Sequence, residues 1–508
     1  MTSRSGAAPS RLDRLASHAP AAICAYFVCQ LIIRVGLLPH NLEVDDAELP
    51  AQAYWALGYA NSHPPLFSWI VRVCHDLLGD WAAALASAKY GLLCLGFLFV
   101  YDAARRAGGS RTAGALATAC LFLIPLVLWK TQTKLTHSIA AFAAAAASVH
   151  AVVLVLQTRR RMAFAWLGLA LSLGLLSKYN FALFVVALAG AVACVNAARH
   201  AFLVRPALIT PAVALVLTAP HWLWVRANPG LAAQRITELT QDVSSWPYGA
   251  THSVVDGLLS LGAVTLVSVG PPLLIWGAAR LAARSGAGAS RADLPVLRIT
   301  VARVMAMLLL LLLSAFALTV VTSGFRQVHE RYLLALLPPF PVWLALQWPL
   351  DRRPMAVLLV VATAFAAGCG ATVQRPVLAL HTDNRLTFPY AEMADDVRAM
   401  AAPPYTIVSD RPETSANLAQ HIPGARIYDH GPLPDLVLVV ADTPDAAVAL
   451  ERQLAPAFRP AASEAVLQRP YHNRGGRMAM LTVQLWRRTS LSPPGPGLNQ
   501  RVSEGPLR

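Results

Sequence analysis

Eleven apolar segments, each about long enough to cross a bilayer, dominate this sequence and constrain its fold more than any other feature. Because lipid offers the backbone no hydrogen bonds, segments of roughly 20 apolar residues cross membranes as helices. Only 14% of the residues are charged, against about 25% in soluble domains. The sequence therefore predicts an α-helical polytopic membrane protein, with spans at residues 20–38, 82–102, 113–129, 137–157, 163–177, 180–198, 207–225, 257–279, 304–322, 332–350 and 354–374.

The net charge of +15 follows this topology. Arginines gather in short tracts between alternate spans, such as Arg105-Arg106 and Arg159-Arg160-Arg161, and the intervening loops are less basic. Cytoplasmic loops are enriched in this way, so we expect residues 1–19 to form a cytoplasmic N-terminal segment. Since topology accounts for the charge, we predict no nucleic-acid partner.

An odd number of spans places everything after the transmembrane domain, residues 20–374, on the periplasmic side. Residues 375–487 alternate strand-like and helix-like stretches, which predicts a small C-terminal α/β domain. The expected strands are 405–410, 426–430, 435–441 and 478–486, and the expected helices are 390–401 and 443–454. The proline- and glycine-rich end, 488–508, reads as a disordered tail.

The first outer loop, residues 39–81, contains the most unusual chemistry of the chain. Asp45, Asp46 and Glu48 follow the first span directly, and carboxylates there are costly unless they face water, metal or substrate. An aromatic stretch at 54–59 and His63-Pro64-Pro65-Leu66 come next. We expect two short surface helices, 46–60 and 66–78, separated by the prolines. Asp46 or Glu48 could instead simply cap such a helix.

Further polar residues lie at the predicted outer ends of later spans. Lys178-Tyr179 interrupts the apolar hairpin of spans five and six, His221 lies in the seventh span, and Arg331-Tyr332 begins the tenth. A lysine at a helix end can snorkel to the interface, and His63 could be an ordinary interfacial histidine. The alternative is that these groups contact an anionic substrate.

Several motifs resemble the GT-C class of glycosyltransferases, which use lipid-linked sugars. The acidic pair and the Pro-Pro-Leu element come first, and they are followed by Gly-Leu-Leu-Ser-Lys-Tyr (174–179), Pro-His-Trp-Leu-Trp (220–224) and Glu-Arg-Tyr-Leu (330–333) with Pro338-Pro339. In this order they are similar to the dolichyl-phosphate-mannose protein mannosyltransferase-like group, which includes aminoarabinose transferases and Rgt-type glycosyltransferases. The resemblance covers residues 20–350.

The resemblance implies an inverting hexosyl- or pentosyltransferase at the periplasmic face of a bacterial inner membrane. A polyprenyl-phosphate-linked sugar would be the donor, a lipid, glycan or protein the acceptor, and membrane lipids the surroundings. By resemblance Asp45 is the base and Asp46 supports it. The implied substrate-binding residues are Glu48, His63, Lys178, Tyr179, Arg331 and Tyr332.

A divalent metal ion is a further expectation of the resemblance, with Glu48, His63 and His221 as its ligands, and no nucleotide cofactor is expected. Two departures bear on it. Relatives often carry an acidic residue at the start of the fourth span, where this chain has His137, and the second acid of the pair is commonly Glu, where this chain has Asp46.

Two other classes compete with the enzyme. A transporter or flippase of lipid-linked saccharides would place ionisable residues near mid-membrane and often contains repeats, whereas apart from Lys89 the basic residues here lie at the rims and no repeat is evident. A non-catalytic scaffold would give no reason for three carboxylates beside the first span.

Overall fold

The computed structural model describes residues 14, 16–52, 54–59, 63–133, 135–230, 254–282, 295–323, 328–348, 350, 352–373, 385–428, 433–472 and 476–489. The apolar part of this region is mostly helical. Its helices are α1 (Ala19–Gly36), α2 (Glu48–Ala51), α3 (Leu66–Leu78), α4 (Trp81–Gly108), α5 (Arg111–Phe122), α6 (Thr131–Thr133), α7 (Thr136–Thr158), α8 (Arg161–Leu175), α9 (Phe181–Cys194), α10 (Asn196–Phe202), α11 (Ile209–Ala227), α12 (Val254–Ala282), α13 (Val296–Ser323), α14 (Pro339–Gln347) and α15 (Arg352–Val373).

Each of the eleven predicted apolar segments coincides with helix, which confirms the helical assignment. Within the described residues, seven helices are long and apolar enough to cross a membrane. An eighth crossing results if α9 and α10, bent by 108°, count as one span. Shorter apolar helices occupy Arg161–Leu175 and Leu334–Gln347. The fold is thus a multi-helix membrane fold in which several of the predicted spans are short or broken.

The C-terminal end of the third predicted span is irregular. Helix α5 ends at Phe122, three residues before Pro125, which has no N–H to continue the hydrogen-bond ladder. A π-helix follows at Leu126–Lys130, then the single turn α6. Leu135 next adopts φ of 75°, a left-handed conformation that is strained for leucine, and α7 begins directly after it. This broken path sets where the first turn of α7 lies.

The chain divides into two compact units, which we describe separately. The first comprises residues 1–30, 57–67 and 89–373, and the second comprises residues 31–56, 68–88 and 374–508. In the first unit α7 is the most deeply buried candidate span. Its alanine-rich sequence permits close helix packing: a methyl group on Gly96 of α4 would stand 2.7 Å from the Phe142 ring of α7.

The second unit contains the strand-containing C-terminal domain. Its elements are α16 (Tyr390–Met400), β1 (Thr406–Ser409), α17 (Pro412–His421), β2 (Arg426–Ile427), β3 (Leu436–Ala441), α18 (Pro444–Leu454), β4 (Phe458–Pro460), β5 (Ala465–Pro470) and β6 (Met478–Arg488). The sheet has the order β2-β1-β3-β6-β4, with β5 paired to β6; β1 is parallel to β2 and β3, and β6 is antiparallel to β3, β4 and β5.

Two hydrophobic cores lie on opposite faces of this sheet. Alternate residues of β3 explain them, because Leu438 and Val440 pack with Leu418 of α17 on one face. Val437 and Val439 pack with Leu450 of α18 on the other. The small α/β domain predicted from the sequence is therefore confirmed.

Expectations for the first outer loop were only partly right. The helix predicted at 66–78 is present as α3. The helix predicted at 46–60 is wrong: a 3₁₀ turn at Val44–Asp46 and the four-residue α2 replace it. Farther on, the Ala56 carbonyl accepts from the Trp69 indole and the Leu57 carbonyl contacts His221, so side chains take the bonds that a helix would have made internally.

Some predictions lie outside the described residues. They are most of the cytoplasmic segment 1–19 and nearly all of the tail 488–508.

Candidate functional site

Lys178 lies in the short turn between α8 and α9. The backbone N–H groups of Ser177 and Lys178 both donate to the Gly174 carbonyl, at 3.1 and 3.2 Å. A methyl group on Gly174 would stand 2.1 Å from the Phe181 ring, so only glycine lets the two helices approach this closely. The turn therefore holds the Lys178 backbone in one place, as the predicted tight hairpin requires.

The Lys178 side chain is enclosed, with only 9% of the residue exposed. Its Nζ donates to the Ser138 hydroxyl at 2.8 Å and lies 5.1 Å from the centre of the Tyr332 ring. Burial of an ammonium is costly unless hydrogen bonds and counter-charge replace its water. An ammonium held in such a setting interacts strongly with an incoming anion, because little water screens it.

Arg331 and Tyr332 belong to a 3₁₀ turn, Glu330–Tyr332. The Arg331 guanidinium carbon lies 5.7 Å from the centre of the Tyr332 ring, so this ring contacts two cations, and each contact is a cation–π interaction. The structure thus brings together predicted residues from two separate motifs, Lys178 from one and Arg331 and Tyr332 from the other.

Glu330, in the same turn, pairs with Lys130 at 2.8 Å. Both residues line a cavity of about 430 Å³, whose other walls are Ser268 and apolar residues of the π-helix region and α12. Both side chains of the ion pair are more than one-third exposed, and such pairs contribute little stability. Lys130 is therefore a useful contrast to the enclosed Lys178.

His63 lies beside the first turn of α7. Its ring packs on that of His137 with centroids 4.5 Å apart and planes tilted by 31°, and Phe67 lies 5.3 Å from the same imidazole. His137 precedes Ser138, the partner of Lys178, in the chain. The predicted residue His63 therefore belongs to the same helix end as the Lys178 contact.

His221 is fully enclosed, with 1% of the residue exposed. Its ring stacks with Tyr179 at 5.8 Å and Trp224 at 6.1 Å, and its Nδ1 lies 2.7 Å from the Leu57 carbonyl. Nδ1 must carry the hydrogen to donate there, which leaves Nε2 an acceptor in the neutral ring. Nε2 is buried without a hydrogen-bond partner among the described residues.

The three predicted carboxylates lie in the second unit. Asp46 is 3% exposed, whereas Asp45 and Glu48 are half-buried. Asp45 and Asp46 lie in the 3₁₀ turn and Glu48 begins α2, and both elements pack against α17 of the C-terminal domain. The acidic segment is thus supported by a helix that lies far away in sequence.

Asn417 of α17 makes two hydrogen bonds to the backbone of Leu42, which lies shortly before the carboxylates in the chain. Its Oδ1 accepts from the Leu42 N–H at 2.7 Å and its Nδ2 donates to the Leu42 carbonyl at 3.0 Å. Asn41 donates in turn to the carbonyls of Leu386 and Phe388, at 3.2 and 2.7 Å. These side chains are buried, so the backbone that leads to Asp45 is fixed by paired hydrogen bonds.

A second pair of carboxylates follows the parallel strands of the C-terminal domain. Asp410 comes directly after β1 and Asp442 after β3, where Asp442 pairs with Arg411 at 3.2 Å and accepts from Thr414 at 2.9 Å. Burial first, and then the nearby Asp442 charge, raise the pKa of Asp410 to about 6. The sequence did not single out this pair.

The predicted metal ligands do not form a recognisable metal centre within the part of the chain that the structure describes, since no group of three or more His, Cys, Asp or Glu residues could hold an ion there. A zinc site normally has three or more protein ligands, whereas Mg²⁺ is often held by one or two carboxylates together with substrate phosphates. Metal binding by Glu48, His63 and His221 stays a prediction.

Sequence reasoning missed Ser138 and Asn417. Ser138 is one of many serines in apolar segments, and its contact depends on the strained turn at Leu135. Asn417 lies on a helix, α17, that the sequence analysis did not predict. The only available signal for Ser138 was its place at the predicted outer end of the fourth span.

Comparisons with known proteins bear on this arrangement. Residues 62–224 match the family model of dolichyl-phosphate-mannose-protein mannosyltransferases. The chain is 26% identical over 423 residues to the lipopolysaccharide core galacturonosyltransferase RgtB of Rhizobium johnstonii, covering 80% of this chain and 82% of that protein. It is 29% identical over 411 residues to RgtA of the same organism, covering 79% and 80%.

The fold is similar to a solved structure. The crystal structure of ArnT from Cupriavidus metallidurans bound to undecaprenyl phosphate superposes with a TM-score of 0.59 at 14% identity, covering 95% of this chain and 99% of that one. At this identity the likeness concerns the fold alone. Together, the matching family model, the two relatives and the shared fold confirm the resemblance to GT-C class glycosyltransferases that the motifs predicted.

Proposed function

We propose that this chain is a membrane glycosyltransferase of the inner membrane that moves a sugar from a polyprenyl-phosphate donor to a cell-envelope acceptor on the periplasmic face. The observation that carries the proposal is the cluster in which the Tyr332 ring contacts two cations, the enclosed Lys178 and the half-buried Arg331. Positive charge in a water-poor setting at the end of apolar helices suits a phosphate carried by a lipid. The apolar helices and the bacterial relatives support a multi-pass location.

The reaction would be a single displacement with inversion. Asp45 takes the proton of an acceptor hydroxyl, whose oxygen attacks the anomeric carbon of the donor sugar. The bond between that carbon and the phosphate oxygen breaks, and the electron pair leaves with the polyprenyl phosphate. Asp46 and Glu48 support Asp45 and orient the acceptor.

Lys178 and Arg331 would stabilise the departing phosphate. Its negative charge increases as the glycosidic bond breaks, so fixed cations stabilise the transition state more than the bound donor. Tyr332, in contact with both cations, keeps them together. Tyr179 and His63 extend the polar surface.

The names of the two Rhizobium relatives suggest the first substrates to test. Both are called lipopolysaccharide core galacturonosyltransferases, so we propose a hexuronic acid as the sugar and a lipopolysaccharide core as the acceptor. A uronic acid adds a carboxylate to the donor, which also suits a site rich in cations.

The test compares lipopolysaccharide from cells with the protein, without it, and with the Asp45→Asn variant, by mass spectrometry. We expect one hexuronic acid mass to be present only with the wild-type protein. An unchanged glycan in all three would contradict the proposal. Loss of the sugar only in cells without the protein, with Asp45→Asn fully active, would contradict the assignment of Asp45 but not the transferase.

A further inference from the structure

Ser138 of α7 contacts Lys178, which lies in the turn between α8 and α9. It lies in the first turn of α7, is 4% exposed, and accepts the Lys178 hydrogen bond at 2.8 Å. The two residues are 40 positions apart in sequence. Most buried hydroxyls in apolar helices donate to the carbonyl four residues earlier, as Ser148 of α7 does towards Ala144 at 2.8 Å. Ser138 is bonded across helices instead.

An unusual backbone path sets the position of Ser138. The preceding segment contains a π-helix at Leu126–Lys130 and the left-handed Leu135, with φ of 75°. A leucine in this conformation costs on the order of 1 kcal/mol or more, and such strain and π-helices concentrate at functional sites. This path starts α7 where its first turn meets the α8–α9 turn that contains Lys178.

The chemistry of the partner matters as much as its position. A serine hydroxyl accepts a hydrogen bond from an ammonium without cancelling its charge. A carboxylate at the same place would also hold the lysine, but it would neutralise the charge that the phosphate needs. The hydroxyl thus orients Lys178 and leaves it cationic.

We propose that Ser138 is a positioning residue that holds the Lys178 ammonium towards the carrier phosphate. The inference rests on the proposed function, since it takes the phosphate of a polyprenyl carrier as the ligand of Lys178. Ser138 itself need not touch the substrate. Its effect should therefore appear in recognition of the carrier, not of the acceptor.

The experiment measures binding of undecaprenyl phosphate to the purified full-length protein, together with donor and acceptor kinetics. We expect Ser138→Ala to weaken carrier binding about tenfold and to lower kcat/KM for the donor by about 10- to 100-fold, as loss of a charged hydrogen bond predicts. The acceptor KM should not change. Ser138→Thr, which keeps the hydroxyl, should restore carrier binding to within about threefold.

Two further variants sharpen the test. Ser148→Ala removes a buried hydroxyl from the same helix, and we expect wild-type carrier binding because that hydroxyl bonds only to its own helix. Ser138→Asp keeps an acceptor for Lys178 but adds a negative charge, and we expect it to bind the carrier at least as weakly as Ser138→Ala.

The possible results separate this inference from the proposed function. Wild-type-like carrier binding by Ser138→Ala in a protein that transfers sugar would overturn the inference and leave the function intact. Weakened binding in a protein that transfers no sugar would support the inference and contradict the function. Equal losses in Ser138→Ala and Ser148→Ala, or a changed acceptor KM alone, would reduce Ser138 to a packing role and overturn the inference.

Discussion

Replacement of Lys178 by methionine removes one charge and keeps most of the side-chain volume. The lysine is 91% enclosed, bonded to Ser138 and adjacent to Tyr332, so bulk water cannot substitute for the lost charge. We expect the lipid-linked donor to be affected most, because its phosphate is the proposed partner. The acceptor KM should change little.

The size of the effect follows from the enclosure of the ammonium. A charge-assisted hydrogen bond contributes about 1.5–3 kcal/mol, and two unit charges about 4 Å apart near a protein surface interact by about 4 kcal/mol. Since about 1.4 kcal/mol corresponds to a tenfold change in rate, kcat/KM for the donor should fall by about 10- to 1000-fold. The overall fold should survive, because methionine fills most of the volume that the lysine side chain occupies.

The assay measures initial transfer rates in proteoliposomes at varied donor and saturating acceptor. Lys130→Met is the matched control: its lysine pairs with Glu330 but is 46% exposed in its side chain, so we expect less than about a fivefold change. A Lys178→Met protein with normal expression and a donor kcat/KM within threefold of wild type would refute the reasoning. Equal losses in both variants would show a general effect of rim charge instead.

Three other perturbations test the remaining parts of the account. Asp45→Asn should lower the transfer rate by about 10²–10⁴-fold, the usual contribution of a general base. Wild-type rates in membranes with normal expression would exclude Asp45 as the base. Asn417→Ala should leave the buried Leu42 N–H and carbonyl unpaired, at a cost of about 1–3 kcal/mol each. We expect faster hydrogen exchange across residues 39–52. Unchanged protection of this segment would contradict a stabilising role for Asn417. Asp410 has a folded pKa of about 6, above its unfolded value, so its contribution to stability is complete below about pH 4 and is lost as the pH rises through 6. Asp410→Asn should therefore remove about 2–3 kcal/mol of the destabilisation of β1 and β3 that appears as the pH rises. Hydrogen exchange of the intact protein at pH 5 and 7.5 measures this. If the variant and the wild type showed the same dependence of exchange on pH, the role of Asp410 would be contradicted.

The helical architecture was predictable because apolar segments in lipid have few alternatives. Lengths of the spans were less predictable. The third segment is interrupted after Phe122 by Pro125 and a π-helix, and the sixth is bent at Val195. Hydropathy averages over such breaks, since it records composition and not hydrogen-bond register.

Four of the six strands that the structure describes, β1, β2, β3 and β6, were predicted within a few residues, and β4 and β5 were missed. The strands β1 and β3 were predictable because they are short apolar runs rich in β-branched residues and bounded by turn residues. Helix α17 was missed. Its sequence contains the buried polar residues Glu413, Ser415 and Asn417. The Ser415 hydroxyl pairs with Ser409 within the domain, and the Asn417 amide bonds to Leu42, far away in sequence. Local periodicity cannot reveal burial of that kind.

The contact between Lys178 and Tyr332 was anticipated only in the sense that both residues belong to motifs at the predicted outer rim. The distance of 5.1 Å from the Lys178 Nζ to the centre of the Tyr332 ring depends on the α8–α9 turn and on the 3₁₀ turn at Glu330–Tyr332. The Ser138 contact had no sequence signal of its own, because it arises from the left-handed Leu135.

The most direct test of the transferase is a reconstituted reaction with a polyprenyl-phosphate hexuronic acid, labelled in the sugar, and a purified lipopolysaccharide core. We predict that the wild-type protein transfers the label to the core and releases polyprenyl phosphate in equal amounts, and that Asp45→Asn does neither. Movement of intact donor across the bilayer with no label on the core would contradict the account and favour a flippase.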